Sequence, residues 1–271
     1  GLIHPASLGK AMHMIVGFAV AVILFEGGMN LRLNHIKREQ HVIRQLITVG
    51  ALVTAIGGII SSKLIIGWDW RNSILFGVLI IVTGPTVITP LLKRLRFRRS
   101  VSTVLEAEGV LLDAIGAVLA VVVLEVALSP SGLSFITGFF HIISRLLSGV
   151  IFGAAGGLGL ALLLRIRRFI PESLENVFML SMVFALFQIS NTMSAESGVV
   201  AVTIAGLVVG NTKTAVRREL RDFEEEMTVL LIGMLFILLA ADVQIVKLTS
   251  LGWRGISLVL VIMFILRPLA I

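Results

Sequence analysis

Apolar runs of about 20 residues, repeated along nearly the whole chain and separated by short loops, constrain this sequence more than any other feature. The run at 102–128, STVLEAEGVLLDAIGAVLAVVVLEVAL, is the clearest. A run of that length crosses a hydrocarbon layer about 30 Å thick as an α-helix. Lipid offers no water to backbone N–H and C=O groups, so a helix that pairs them internally is the natural state of such a run. Nine segments qualify, at 8–30, 43–66, 72–92, 102–128, 142–164, 174–191, 193–210, 227–246 and 253–271. The expected fold class is an all-α polytopic membrane protein with about nine transmembrane helices. Composition excludes a soluble domain: 57% of residues are hydrophobic and 14% charged, against about 25% charged in soluble proteins. The chain opens on Gly1 and stops at Ile271 inside an apolar span. We read it as an internal piece with both ends of the fold missing, and no cleavable signal is expected in it.

The basic residues sort by loop. Those after spans one, three, five and seven hold Arg32, Lys37, Arg38 and Arg44; Lys93, Arg94, Arg96, Arg98 and Arg99; Arg165, Arg167 and Arg168; and Lys213, Arg217, Arg218 and Arg221. The alternate loops and their flanks hold Lys63, Arg71, Lys247 and Arg254, with Arg145 inside the outer end of span five. This alternation puts the basic loops in the cytoplasm of a multi-pass protein of the cell membrane, in a prokaryote the inner membrane. The net charge of +7 is then a matter of topology. Nucleic acid is not an expected partner, because the basic residues are dispersed over four short loops. Without cysteine there is no disulfide or thiolate chemistry. No Ser/His pair, HExxH motif or paired-Asp signature lies at membrane depth, so an enzyme is not expected, nor is any cofactor.

Three carboxylates stand in the 102–128 run, at Glu106, Glu108 and Asp113. A carboxylate at bilayer depth costs a few kcal/mol and is tolerated facing a bundle interior or a watery path, where it binds ions or relays protons. Glu106 and Asp113 are seven apart and share a helix face. Glu108 precedes Asp113 by five residues, about 7.5 Å along the axis and well around it, so the two need different partners. Arg267, the only Arg or Lys deep in the last span, is the expected partner of Glu108 in a structural ion pair that leaves Asp113 free to exchange its proton. The alternative for Arg267 is snorkelling to the cytoplasmic edge. Arg145 lies at the outer end of its span, where snorkelling is easier.

Span three enters from outside and span four from the cytoplasm, so Thr83-Gly84-Pro85-Thr86 and Asp113 meet at similar depth. Pro85 has no amide hydrogen and Gly84 loosens the backbone, which predicts a helix broken at the midplane. Such a break presents carbonyls, hydroxyls and half-helix dipoles to an ion, with Thr83 and Thr86 as hydroxyl ligands; a plain proline kink is the alternative. Glu26, in FEGG near the cytoplasmic end of span one, stands beside glycines that allow close helix approach or a break; an interfacial Glu is the alternative. Gly149, Gly153 and Gly157 recur every four residues and predict a close-packing helix face. Residues 217–226, RRELRDFEEE, read as a cytoplasmic surface helix.

Taken in order, four stretches resemble the monovalent cation:proton antiporters of the NhaP type, relatives of the animal sodium/proton exchangers. LFEGGMNL at 24–31 looks like the family's Glu-bearing third helix, and VTGPTVITPLL at 82–92 like its broken fifth. EGVLLDAIGAVLA at 108–120 is similar to its sixth. ESGVVAVTIAGLVVGN at 196–211 with residues 220–243 resembles its ninth and tenth, and Arg267-Pro268 falls where the eleventh carries an Arg that pairs with the sixth-helix Glu. Three positions depart from the usual pattern: Gly84 stands for an Asp, Leu112 for an Asn and Gly109 for a Ser. We read them as marking a subfamily.

The resemblance implies a thirteen-helix fold of which this chain holds helices three to eleven. It divides the chain into 1–42, a first span and basic linker on the dimerisation side; 43–130, a core transport bundle with broken helix 72–92 and ion-site helix 102–128; 131–170, a linker helix; 171–247, a dimerisation bundle with charged linker 212–226; and 248–271, the start of the second half of the core. It implies antiport of Na+ or K+ against H+, by competition at Asp113 with help from Thr83 and Glu26, in a homodimer. Asp113 has no adjacent acid, so one-for-one, electroneutral exchange is expected. A cation channel with the same acidic path is the alternative reading; coupled proton counter-movement separates the two.

Overall fold

The computed structural model describes residues 9–83, 98–128, 135–165, 174–212, 218–243 and 249–270. All regular structure among them is helical: α1 Gly9–Asn30, α2 Leu33–Ile66, α3 Trp70–Leu79, α4 Arg99–Leu128, α5 Phe135–Arg165, α6 Glu175–Met193, α7 Ser197–Asn211, α8 Arg218–Asp242 and α9 Gly252–Ala270. Of these, α2, α4, α5, α6 and α9 contain stretches long and apolar enough to cross a membrane; α1 and α7 are apolar but carry shorter such stretches. The protein is an all-α, multi-pass membrane protein.

Among the helix starts, two lie furthest from expectation. The second span was expected to begin near residue 43, yet α2 starts at Leu33 and takes in the basic linker. The acidic and basic run before span eight is likewise continuous with it as α8. Lys, Arg, Glu and Gln are good helix formers, and no Gly or Pro stands between these runs and the apolar spans, so the helix propagates through them.

The chain forms two compact units, residues 1–34 with 144–243, and 35–143 with 244–271; the boundary falls within α5. In the first unit α7 is apolar on all sides and almost wholly buried. It is held by backbone-to-backbone approach. A Cβ at Gly28 of α1 would strike the Thr203 carbonyl, and one at Gly206 would strike the carbonyl of Phe25. Gly149, Gly153 and Gly157 of α5 meet Val200, Ala201 and Ala205, so the close-packing face read from their spacing is present. Without a hydrophobic drive between helices in lipid, such small-residue contacts supply the packing energy. Ser197 Oγ bonds the Ser190 carbonyl at 2.7 Å, and Asn191 Oδ1 accepts from Gly198 N–H at 2.8 Å, which closes the polar turn between α6 and α7.

In the second unit α2 is inside out by soluble standards. Leu52, Ile56, Ile60 and Leu64 form an exposed stripe at four-residue spacing, while Thr54, Gly58 and Ser61 are buried. Lipid-facing helices take this arrangement, with apolar side chains outward and small or polar ones against neighbours. α3 crosses α2 where a Cβ at Gly77 would lie 2.5 Å from the Ala55 carbonyl, and α9 crosses it near Gly50 and Gly57. π-helical turns interrupt α2 at Leu46–Gly50 and Ser62–Ile66, and α9 at Ile262–Leu266. The last sits directly before Arg267-Pro268, where proline supplies no amide hydrogen to the ladder.

Candidate ion site

The second unit carries four of the residues singled out from the sequence: Thr83, Glu108, Asp113 and Arg267. α3 ends at Leu79, with Ile80 as its C-cap, and Ile81 N–H closes a turn onto the Val78 carbonyl at 3.2 Å. Val82 and Thr83 follow without regular structure. Gly84, Pro85 and Thr86, the expected break motif, lie outside the described residues.

α4 packs against α3, and its helix places the acids on separate faces. Gly116, one turn after Asp113, lies against Val82: a Cβ there would collide with the Val82 side chain. This brings the 82–83 segment onto the α4 face that carries Asp113, since positions three apart share a face. Thr83 Oγ1 and Asp113 Oδ1 are both buried, and neither has a hydrogen-bond partner among the described residues. Buried polar atoms are paired in the great majority of cases, so each orphan calls for an explanation. Two orphaned oxygens on adjoining segments are what a site for a cation or a proton requires.

Glu108 faces elsewhere. With Leu112, one turn on, it lines a small cavity of about 40 Å³ shared with Thr54, Ile81 and Arg267. Arg267 Nη2 donates to the Ile80 carbonyl at 2.9 Å. That partner was missed in the sequence. A terminal helix carbonyl has no intrahelical donor, so a break after α3 should have prompted the search for one. A guanidinium is suited to the task, because its planar fork serves two acceptors at once.

Glu26 belongs to the first unit. It is 7% exposed and accepts a hydrogen bond from Asn30 Nδ2, one turn along α1, at 2.6 Å. Asn211, at the end of α7, braces the chain just beyond. Its Nδ2 donates to the Leu31 carbonyl at 2.7 Å and its Oδ1 accepts from Leu33 N–H at 2.8 Å. Arg145, for which snorkelling was the easier reading, is instead buried at 7% exposure. Among the described residues no group of three or more His, Cys, Asp or Glu side chains is arranged to hold a metal ion.

The family model described as sodium/hydrogen exchanger, transmembrane, matches residues 1–271. The chain belongs to the sodium/hydrogen exchanger family. That places it among membrane transporters rather than enzymes. It is 27% identical over 263 residues to a K(+)/H(+) antiporter NhaP2 of Shewanella oneidensis, a match covering 96% of this chain and 45% of that protein. It is 24% identical over 289 residues to a probable Na(+)/H(+) antiporter 2 of Methanocaldococcus jannaschii, covering 98% and 66%. The exchanger chain thus spans about half the length of the Shewanella relative. Among solved structures it is similar to the sodium proton antiporter MjNhaP1 from Methanocaldococcus jannaschii at pH 8, with TM-score 0.79 and 22% identity over 99% of this chain and 66% of that one. That likeness shows the fold.

Proposed function

We propose that the full-length protein is a secondary antiporter that exchanges Na+ or K+ for H+ across the cell membrane, with Asp113 as the carboxylate for which cation and proton compete. The observation that carries this reading is the pair of buried oxygens without a hydrogen-bond partner among the described residues, Thr83 Oγ1 and Asp113 Oδ1, on segments that pack together. A desolvated carboxylate needs a positive partner, and a bound cation or a bound proton each supplies it. Occupation by one excludes the other, which couples the two fluxes. Thr83 offers its hydroxyl as a neutral oxygen ligand, of the kind hard monovalent cations accept in channel and transporter sites.

The unit made of residues 35–143 and 244–271 serves as the transport core, and the unit rich in helix-to-helix glycine contacts as the dimerisation bundle of a homodimer. The basic loops face the cytoplasm of a prokaryote, and exchange is one-for-one. The relatives support both cation choices, since one is named for K+ and another for Na+. The test is cation-driven proton flux in proteoliposomes holding the full-length protein, with Na+, K+ and Li+ compared. Antiport requires that an imposed outward gradient of the preferred cation drive protons inward against their own gradient. Cation flux with no linked proton movement would refute it.

A further inference from the structure

We infer that Arg267 is a positioning residue for the cation site: it holds the end of α3, and through it Thr83, in place against the Asp113 face of α4. This rests on the antiport reading above and extends it to a residue otherwise assigned only to Glu108. Between the last helical residue of α3, Leu79, and Thr83, Ile80 N–H reaches the Phe76 carbonyl at 3.0 Å, Ile81 N–H reaches the Val78 carbonyl at 3.2 Å, and Val82 rests in the notch at Gly116. A further tether is the 2.9 Å bond from Arg267 Nη2 to the Ile80 carbonyl, across 187 residues of sequence. Of these four it is the charge-assisted one, and such bonds are about twice as strong as neutral ones.

The same side chain lines the cavity with Glu108. Arg267 therefore links the cavity on the Glu108 face of α4 to the chain end that carries Thr83. The cavity walls include Leu46 and Gly50, the two ends of one π-helical turn of α2, and Ala270, four residues past the π-helical turn of α9. Such turns gather at functional sites. The turn at Ile262–Leu266 ends directly before Arg267, whose guanidinium reaches the Ile80 carbonyl.

A merely structural partner of Glu108 and a positioning residue differ in what lysine can restore. Lysine keeps the positive charge beside Glu108, but its ammonium is a point donor and cannot hold Glu108 and Ile80 at once as the guanidinium fork does. The test is exchange in proteoliposomes with the full-length protein, comparing Arg267→Lys and the neutral pair Glu108→Gln with Arg267→Met. Both should fold, and both should raise KM for the cation by about tenfold with a smaller change in kcat, as expected for loss of a bond to a charged donor that fixes a ligand. Cation-dependent thermal stabilisation of the purified variants should weaken in parallel. Wild-type KM in either folded variant would overturn the inference, leaving Arg267 a charge partner alone. Failure of both to assemble would overturn it as well, because a positioning role predicts a folded protein with a loosened site. Asp113→Asn run alongside keeps the two claims apart: retained exchange there defeats the antiport mechanism itself, whatever the Arg267 variants do.

Discussion

Replacing Arg267 with Met removes two interactions, whereas replacing Glu108 with Gln removes one. The guanidinium donates to the Ile80 carbonyl at 2.9 Å and shares a cavity of about 40 Å³ with Glu108, a space that holds at most a water or two. Glu108 and Arg267 are both half-buried, and we propose that they pair; a stranded partner at such depth costs about 1–3 kcal/mol. Loss of a hydrogen bond to a charged donor adds about 1.5–3 kcal/mol. Arg267→Met should therefore destabilise by about 3–6 kcal/mol, and Glu108→Gln by about 1–3 kcal/mol. The double variant leaves no stranded charge and loses mainly the Ile80 bond, so its cost should be about 2–3 kcal/mol. The coupling between the two sites is then about 2 kcal/mol or more, and the ranking of the single variants is fixed in advance. Unfolding by SDS titration in mixed micelles, followed by tryptophan fluorescence, reads this directly, because Trp68, Trp70 and Trp253 all lie in the unit concerned. Single costs that add to within about 0.5 kcal/mol in the double variant would refute the pair. A Glu108→Gln variant less stable than Arg267→Met would refute the second role of Arg267.

Other outcomes follow from the packing and the chemistry. Gly206→Leu should destabilise the first unit by about 3 kcal/mol, since a Cβ there lies against the Phe25 carbonyl and 3.0 Å from Met29 N, with backbone that cannot give way; thermal unfolding in detergent measures it, and a neutral result contradicts the close contact. Asn211→Ala removes the bonds to Leu31, Leu33 and Leu207 and should speed hydrogen exchange at the Leu33 amide by about tenfold or more, with a stability loss of about 2–3 kcal/mol. One-for-one exchange should be electroneutral, so clamping the membrane potential at zero or at a large value should leave flux unchanged at fixed ion gradients. Flux that follows the potential would show a second charge per cycle, and Glu106, on the Asp113 face, is then the first residue to mutate.

The helices were legible because lipid enforces a single rule: long apolar runs must pair their own backbone. The glycine face at Gly149, Gly153 and Gly157 was legible for a related reason, since small residues at four-residue spacing have little use except close approach. The separate surroundings of Glu108 and Asp113 followed from helical geometry alone. What the sequence did not yield were contacts of side chains with distant backbone. Nothing local marks the Ile80 carbonyl as the acceptor for Arg267, or Leu31 and Leu33 as partners of Asn211. Arg145 was misjudged because burial depends on which helices surround it, and a position near a span end does not report that. The charged runs before spans two and eight were read apart from those spans, whereas charged residues with good helix propensity carry one helix through both.

The most direct test is Asp113→Asn in the full-length protein, reconstituted at the same density as wild type and assayed for cation-driven proton movement. Asparagine keeps the size of the side chain and some of its hydrogen bonding, but it can neither bind a proton at its oxygen nor neutralise a cation. Exchange should be abolished, while yield, size-exclusion profile and thermal stability stay close to wild type. Exchange at near wild-type rate in that variant would contradict the account and remove Asp113 from the mechanism.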